Sequence, residues 1–513
     1  MHEEVLTQVS TLDAVRVISQ ASVAGLQGLP LDEVASELGV RFILEGSVRR
    51  LEDQVRITAR LTDTVGGGQV WAASYQELWE DLFSVQRDIA DRIARSLDAQ
   101  FRPDPEVVGT HSLDSEAYDF FLRGRAYEVR SRTESDLRLA IEMYEQAVQV
   151  DPDYALAFVR LGVTFRRLYW FGFDRSDETL EAARDAVDQA LSLQPGLPEA
   201  IVAQAWYDYQ IERDFDEALR KLDNLDPSTE FEPELRGAIY RRQGDFDRAV
   251  ESFSRAFDRN PRSPGLALDL GNSFSVLGRF AEANRSFQRA QEIGIPGWGA
   301  YWWQAWNYIL WRGDVDAARA VLRAADANPS LTDWPSRDLD WFTIEMLSGN
   351  PREALRFVEQ GEEWIPGQYG DTSRELLVGM ALHRMGDGRS RDYFLTARDR
   401  VRSRLLDDAE DPYLHRDLAL SLAWLGDRAE ALEAADRATE LLPRSRDALV
   451  APDLVRTKAE VQSIVGDVEG ALGTLADLMT RPNRSISPEL LRLDPVWDPL
   501  RGHPRFSRFV DGG

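Results

Sequence analysis

Small and aromatic residues recur along the middle of the chain in a fixed frame. Ala249, Ala283 and Ala317 stand 34 residues apart, as do Phe253, Phe287 and Val321, and Ala256, Ala290 and Ala324. Gly237 and Gly271, Gly244 and Gly278, and the aromatic set Tyr240, Phe274 and Tyr308 keep the same interval. Apolar residues at three- and four-residue steps between these marks predict paired amphipathic helices. The alanines are expected to be buried where the two helices of a pair nearly touch. The aromatic columns are expected to fill the wider gap to the next pair. A glycine four or five residues before each alanine is placed to end the first helix in a left-handed conformation. Pro261 and Pro329 are placed to stop the second.

The frame extends outward. "GDFDRA" at Gly244 returns as "GRFAEA" at Gly278, "GNPREA" at Gly349, "GDRAEA" at Gly426 and "GDVEGA" at Gly466. Ala140, Tyr144, Ala147 and Pro152 keep the second-helix spacing, as do Ala183, Val187, Ala190 and Pro195, and Ala431, Ala438 and Pro443. About ten helical hairpins are expected between residues 112 and 480, with those near 200–228 and 370–405 degenerate. The first hundred residues read differently. "EEVLTQVSTL" has helical spacing, and "AVRVISQAS" alternates like a strand. "PLDEVASELG" reads as a short helix, opened by Pro30, with Asp32 and Glu33 at its positive end and closed by Gly39. "RFILEGSVRR", "QVRITARLTD" and "QVWAASYQ" predict three strands, with turns at Leu51–Asp53 and Gly66–Gly68, and a long amphipathic helix over 78–99 follows.

A 34-residue helix–turn–helix period with these columns resembles the tetratricopeptide-repeat family over residues 112–480. The resemblance implies a mainly α protein: a right-handed superhelix of about ten hairpins beside a small amino-terminal α/β domain. It also implies a concave groove, lined by the first helix of each pair, in which an extended peptide or a partner helix lies. The amino-terminal part resembles the TolB-like domain of bacterial regulatory proteins through its "LEGSVRR" strand, the "RLTD" strand end, the W-A…Y strand and the "DLFSVQRD" helix start. Such a domain commonly stands between an adenylyl cyclase, protein kinase or winged-helix module and tetratricopeptide repeats. The ending "LLRLDPVWDPLRGHPRFSRFV" also resembles how such chains finish. The expected organisation is therefore a TolB-like domain over 1–103, a linker over 104–111, repeats over 112–480 and a capping segment over 481–513. The family domain opens with an apolar strand before the helix that starts here near His2. That strand is not in this sequence: either the true start lies upstream of Met1 or the chain was cut from a longer protein, the two favoured readings, or the domain lacks its first strand.

Charge narrows the function. A net charge of −28 and a pI near 4.7 oppose phosphate backbones, and no basic run offsets them, so nucleic acid is not an expected partner. Cysteine is absent, which removes thiolate metal sites and cysteine nucleophiles. His2, His111, His383, His415 and His503 are scattered without a second ligand at helical spacing. "TVGGGQVW" lacks the lysine of a phosphate loop and leads into a strand, and no G-x-S-x-G occurs. No catalytic residue, metal ligand or cofactor is expected, so the chain reads as a non-catalytic scaffold. Nor does any stretch reach 18 apolar residues, and no signal peptide opens the chain, so no membrane insertion is expected. The expected compartment is the cytoplasm, or the periplasm if a membrane segment precedes Met1.

On the groove-facing first helices the frame places Arg166, Arg167, Arg241, Arg242, Asn272, Trp302 and Trp306. Arginine forks suit carboxylates, so the expected partner is a protein or peptide presenting an acidic segment or a chain's carboxyl end. Asn272 would hold its backbone, and the two indoles, one helical turn apart, would seat an apolar side chain. The alternative is that these arginines pair with the many carboxylates of neighbouring helices. A second functional reading is that the chain is the carboxyl-terminal regulatory part of a longer signalling protein.

Overall fold

The computed structural model describes residues 17–18, 20–23, 26, 28–51, 54–65, 68–78, 85, 88–89, 92–93, 114–130, 134–170, 173–174, 176–226, 229, 232–293, 298–328, 331, 336–367 and 370–511. The chain divides into two compact units, residues 1–239 with 254–263, and residues 240–253 with 264–513.

In the first unit, helix α1 (Leu31–Leu38) begins after Pro30, carries Asp32 and Glu33 in its first turn and ends at Gly39, whose φ is 63°. Three strands follow as an antiparallel meander: β1 (Phe42–Leu51), β2 (Gln54–Asp63) and β3 (Gly68–Leu78). Along β2, Val55, Ile57, Ala59 and Leu61 turn inward while Arg56, Thr58 and Arg60 face out. Val85, Ile89 and Ile93, one helical turn apart, are buried in the same core. Gly46 of "LEGSVRR" is explained by contact. A β-carbon there would stand 2.7 Å from the Thr58 carbonyl oxygen, so only glycine fits. The strand expected over 14–22 is not formed where it is described: Gln20–Val23 is a helical turn, and Ile18 and Leu26 pack with Val34 and Leu38 of α1. The helix expected near His2, residues 52–53 and 66–67, most of 78–99, the 104–111 linker, His111 and Pro329 lie outside the described residues.

The repeats of the first unit are α2 (Ser115–Arg130) on α3 (Glu134–Val150), α4 (Ala155–Trp170) on α5 (Asp177–Leu193), and α6 (Pro198–Tyr207) on α7 (Phe215–Leu222). In sequence α8 (Glu232–Gln243) and α9 (Phe246–Arg259) come next. The second unit pairs α10 (Pro264–Val276) with α11 (Phe280–Ile293), α12 (Gly299–Arg312) with α13 (Val315–Asp326) and α14 (Arg337–Leu347) with α15 (Pro351–Val358). It continues with α16 (Arg374–Arg384) on α17 (Ser390–Arg404), α18 (Pro412–Leu425) on α19 (Arg428–Leu441) and α20 (Ala451–Ile464) on α21 (Val468–Met479). Among the described residues there are thus ten helix–turn–helix units between 115 and 479. Beyond them α22 (Pro488–Leu493), a 3-10 turn (Pro495–Leu500) and α23 (Pro504–Asp511) bury Leu491, Trp497 and Leu500 in a core shared with α12.

Turn chemistry sets the frame. Gly244, Gly278, Gly313, Gly349, Gly426 and Gly466 all take positive φ, and five residues after each stands a fully buried alanine: Ala249, Ala283, Ala318, Ala354, Ala431 and Ala471. The spacing from Ala283 to the next member is therefore 35, because the loop into α12 is one residue longer. This corrects the column that ran through Ala317. Ala317 is only partly buried, and its amide is capped by Asp314 at 2.9 Å. The aromatic columns also act differently from expectation. Phe287 of α11 presses on Gly271 of its own partner helix, where a β-carbon would meet the ring at 2.5 Å. In the degenerate unit α6–α7 no glycine is available. There a π-helical turn, Asp208–Glu212, precedes Arg213, which takes φ 54°. Strands run beyond those the sequence predicts: β3 continues past "QVWAASYQ" to Leu78, and the two-residue strands β4 (Trp364–Ile365) and β5 (Thr372–Ser373) pair antiparallel between α15 and α16.

Candidate partner-binding surface

The first unit gathers arginines on two first helices. Glu128 of α2 has a side chain only 4% exposed, with Arg167 Nη1 at 2.8 Å and Arg125 and Arg160 at 3.6 and 3.9 Å. The Tyr144 hydroxyl donates to it at 2.8 Å. Burial by itself would raise the carboxyl's pKa, but Arg167, Arg160, Arg125 and Tyr144 together outweigh it and hold the group at about 2. Arg166 lies beside this cluster, 9% exposed. It donates through Nη1 to Gln210 Oε1, its guanidinium stands 5.2 Å over the Trp206 ring, and it makes no ion pair among the described residues. Burial first, and then repulsion from Arg167, push its pKa down to about 9. Attraction from Glu234 and Glu128 offsets only part of this, so a buried cation whose one direct hydrogen-bond partner is a neutral amide still carries a desolvation cost. The sequence reading found Arg166 and Arg167 but missed Arg125, Arg160 and Glu128. The signal was there: Arg160 and Arg167 are seven residues apart, two turns along one helix face.

The second unit has used its expected binding residues internally. Arg241 Nη1 donates to Asp269 Oδ1 at 2.7 Å, and its guanidinium lies 5.0 Å over Phe253. Arg242 pairs with Asp447, whose side chain is 1% exposed, and its carbonyl accepts from Ala448 N at 2.7 Å. For these two, pairing with the chain's own carboxylates is what the structure shows: Asp269 on α10 for Arg241, and Asp447 in the turn before α20 for Arg242. Asn272 Oδ1 accepts from Arg484 Nη1 at 2.8 Å. The Arg484 guanidinium lies 3.6 Å over the Trp303 ring, and its carbonyl accepts from Trp306 Nε1 at 2.8 Å. Trp302 stacks on Trp306 with centroids 5.6 Å apart and planes at 27°. Ser485 Oγ donates to Asp453 at 2.6 Å. Asn272, Trp303 and Trp306 therefore grip a stretch of the chain's own carboxyl-terminal segment. Among the described residues no group of His, Asp and Glu is arranged to hold a metal ion, and no helix is long and apolar enough to cross a membrane.

The comparisons also find paired-helix repeats. Residues 132–198, 235–297 and 268–331 match the tetratricopeptide repeat family model. This chain carries tetratricopeptide repeats. Such repeats mediate protein–protein interactions through the surfaces that stacked hairpins create. A protein of Rhizobium meliloti (strain 1021) named "Putative adenylate cyclase 3" is 30% identical over 213 residues, 40% of this chain and 36% of that protein. "Photosystem I assembly protein Ycf3" of Synechococcus sp. (strain CC9902) is 32% identical over 98 residues, 16% of this chain and 56% of that one. The chain thus spans about a third of the first relative's length and just over half of the second's. A solved tetratricopeptide repeat protein from Parabacteroides merdae ATCC 43184 is 16% identical, covering 53% of this chain and 100% of that chain, at a TM-score of 0.36.

Proposed function

We propose that the chain is a non-catalytic scaffold that holds a protein partner against the arginine-rich wall of α2 and α4. The partner presents an acidic segment or a carboxyl terminus. The observation that carries this reading is Arg166, a buried cation without an ion pair among the described residues, beside Arg160 and Arg167 on the same helix. In a chain of net charge −28, such a wall concentrates positive potential locally and draws in a carboxylate that the rest of the surface repels. Asn272, Trp303 and Trp306 support peptide holding by first helices, since they already hold the stretch around Arg484 in cis.

The variant Arg166→Met keeps the apolar stem and removes the charge. Partner capture from the source cell should weaken by about 2 kcal/mol, roughly thirtyfold, while the melting temperature holds or rises because a buried charge has gone. A purely structural arginine would give the reverse, a lower melting temperature with capture intact. That pattern would refute the proposal.

The match to the protein named as a cyclase favours a second reading, in which this chain is the regulatory end of a longer signalling protein. The β1–β3 meander, with Gly46 where its "LEGSVRR" strand crosses β2, supports a TolB-like assignment for the amino-terminal part. The DNA upstream of Met1 tests this directly. An open frame running into a catalytic or DNA-binding module is expected, and an in-frame stop close to Met1 would eliminate it.

A further inference from the structure

A cavity of about 840 Å³ opens in the second unit among α13, α14 and the turn that leads into α15. Its charged wall is pre-paired. Arg337 holds Asp326 through two bonds, Nε to Oδ1 at 2.7 Å and Nη2 to Oδ2 at 3.1 Å. Arg319 holds Glu345 in the same way, with Nε to Oε1 at 2.9 Å and Nη2 to Oε2. Glu353 accepts from Arg356 at both oxygens, at 3.2 and 3.0 Å. The Trp341 Nε1 group donates to Asp326 at 3.1 Å, and its ring stacks on Phe357 with centroids 5.5 Å apart and planes at 3°. Every carboxylate lining the cavity is therefore already matched by an arginine.

Two lining cations are left over. The side chains of Arg323 on α13 and Arg352 in the first turn of α15, both exposed, have no hydrogen bond, ion pair or ring contact among the described residues. Arg337 also holds Asp338 at 2.8 Å and Arg319 stands 3.8 Å from Asp316, so the paired arginines are taken up by carboxylates and the exposed Arg323 and Arg352 are the guanidiniums left for a ligand. The volume falls within the roughly 300–1,000 Å³ range of small-molecule sites. One carboxylate would be saturated by a single guanidinium fork. A phosphate monoester, carrying nearly two charges at pH 7 and three terminal oxygens, can engage both. Phe357 and Met385 supply an apolar side to the same cavity.

We propose that this cavity binds a small phosphate monoester with an apolar or aromatic body, its phosphate between Arg323 and Arg352. This site lies in the second unit and does not depend on the arginine wall of α2 and α4. Phenyl phosphate titrated into the full chain is the probe, with benzoate and inorganic phosphate as comparison arms. Phenyl phosphate should bind with a Kd of about 1 mM or tighter, benzoate and inorganic phosphate at least about tenfold more weakly. Arg323→Gln with Arg352→Gln should weaken phenyl phosphate at least about tenfold, with an unchanged ligand-free melting temperature, since neither side chain has a partner to lose. No binding of phenyl phosphate, equal affinity for benzoate or inorganic phosphate, or undiminished affinity in the double variant would each overturn the assignment.

Discussion

Arginine at Ala318 should unfold the second unit, while arginine at Ala317, one residue earlier, should be tolerated. Ala318 has no exposed surface and sits in a core with Trp303, Trp306 and Leu322. A long cation there must overpack that core or stay buried and unpaired, a cost of about 3 kcal/mol or more. Ala317 is partly exposed in the first turn of α13, so the new side chain can extend toward solvent at a cost of about 1 kcal/mol or less. Melting curves of the two variants decide between the frames. A severe loss at Ala317 with none at Ala318 would restore the strict 34-residue column and refute the five-residue spacing from Gly313.

That slip shows which parts of the fold the sequence exposes. Local chemistry was legible. Gly39 ends α1, Gly244 and Gly278 end first helices, and Pro152, Pro195 and Pro443 follow second helices, because each acts within a few residues of its own position. A column counted at a fixed period is more fragile than the turn that creates it, since one added loop residue shifts everything after it. Gly313 keeps the rule where the count through Ala317 loses it. The alternation at 14–22 failed for a related reason. Period-two spacing does not by itself supply a sheet partner, and Ile18 finds a core against α1 instead.

The candidate site was legible in chemistry but not in commitment. Arg241, Arg242, Asn272 and Trp306 are all on first helices, as their spacing predicted. Arg241 is filled from the next hairpin, by Asp269 28 residues on, but the other three are filled from far along the chain: Asp447 is 205 residues from Arg242, and Arg484 is 212 from Asn272 and 178 from Trp306. No local pattern can announce such closures. Arg166 and Arg167 show the opposite case. Their neighbours Arg125, Arg160 and Glu128 belong to the same two first helices, so the helix-face logic that found two of the arginines could have found the cluster.

Between about pH 5 and pH 8 the second unit should lose stability as pH rises, and Asp340→Asn should remove its share of that slope, the rest falling to Glu460, Asp417 and Asp494, whose pKa values burial also raises. Asp340 is 5% exposed on α14, where its Oδ2 accepts from Trp298 Nε1 at 2.7 Å and from Ser336 Oγ at 3.0 Å. Burial raises its pKa, only partly opposed by these two hydrogen bonds, to about 8. In the unfolded chain the same group titrates near about 3.9. The folded state therefore holds a proton that the unfolded state has released, and folding is penalised as pH climbs from the lower value toward the higher. At about 1.4 kcal/mol per unit, three units set an upper bound of about 4 kcal/mol. Asparagine offers the same acceptor to Trp298 and Ser336 without a charge to desolvate, so the variant should be the more stable form at pH 8 and close to the parent at pH 5. General repulsion in a chain of net charge −28 also grows with pH, but it acts on both proteins alike, so the difference between their melting temperatures isolates Asp340. Parallel curves across this range would show that the carboxyl is ionised in the fold.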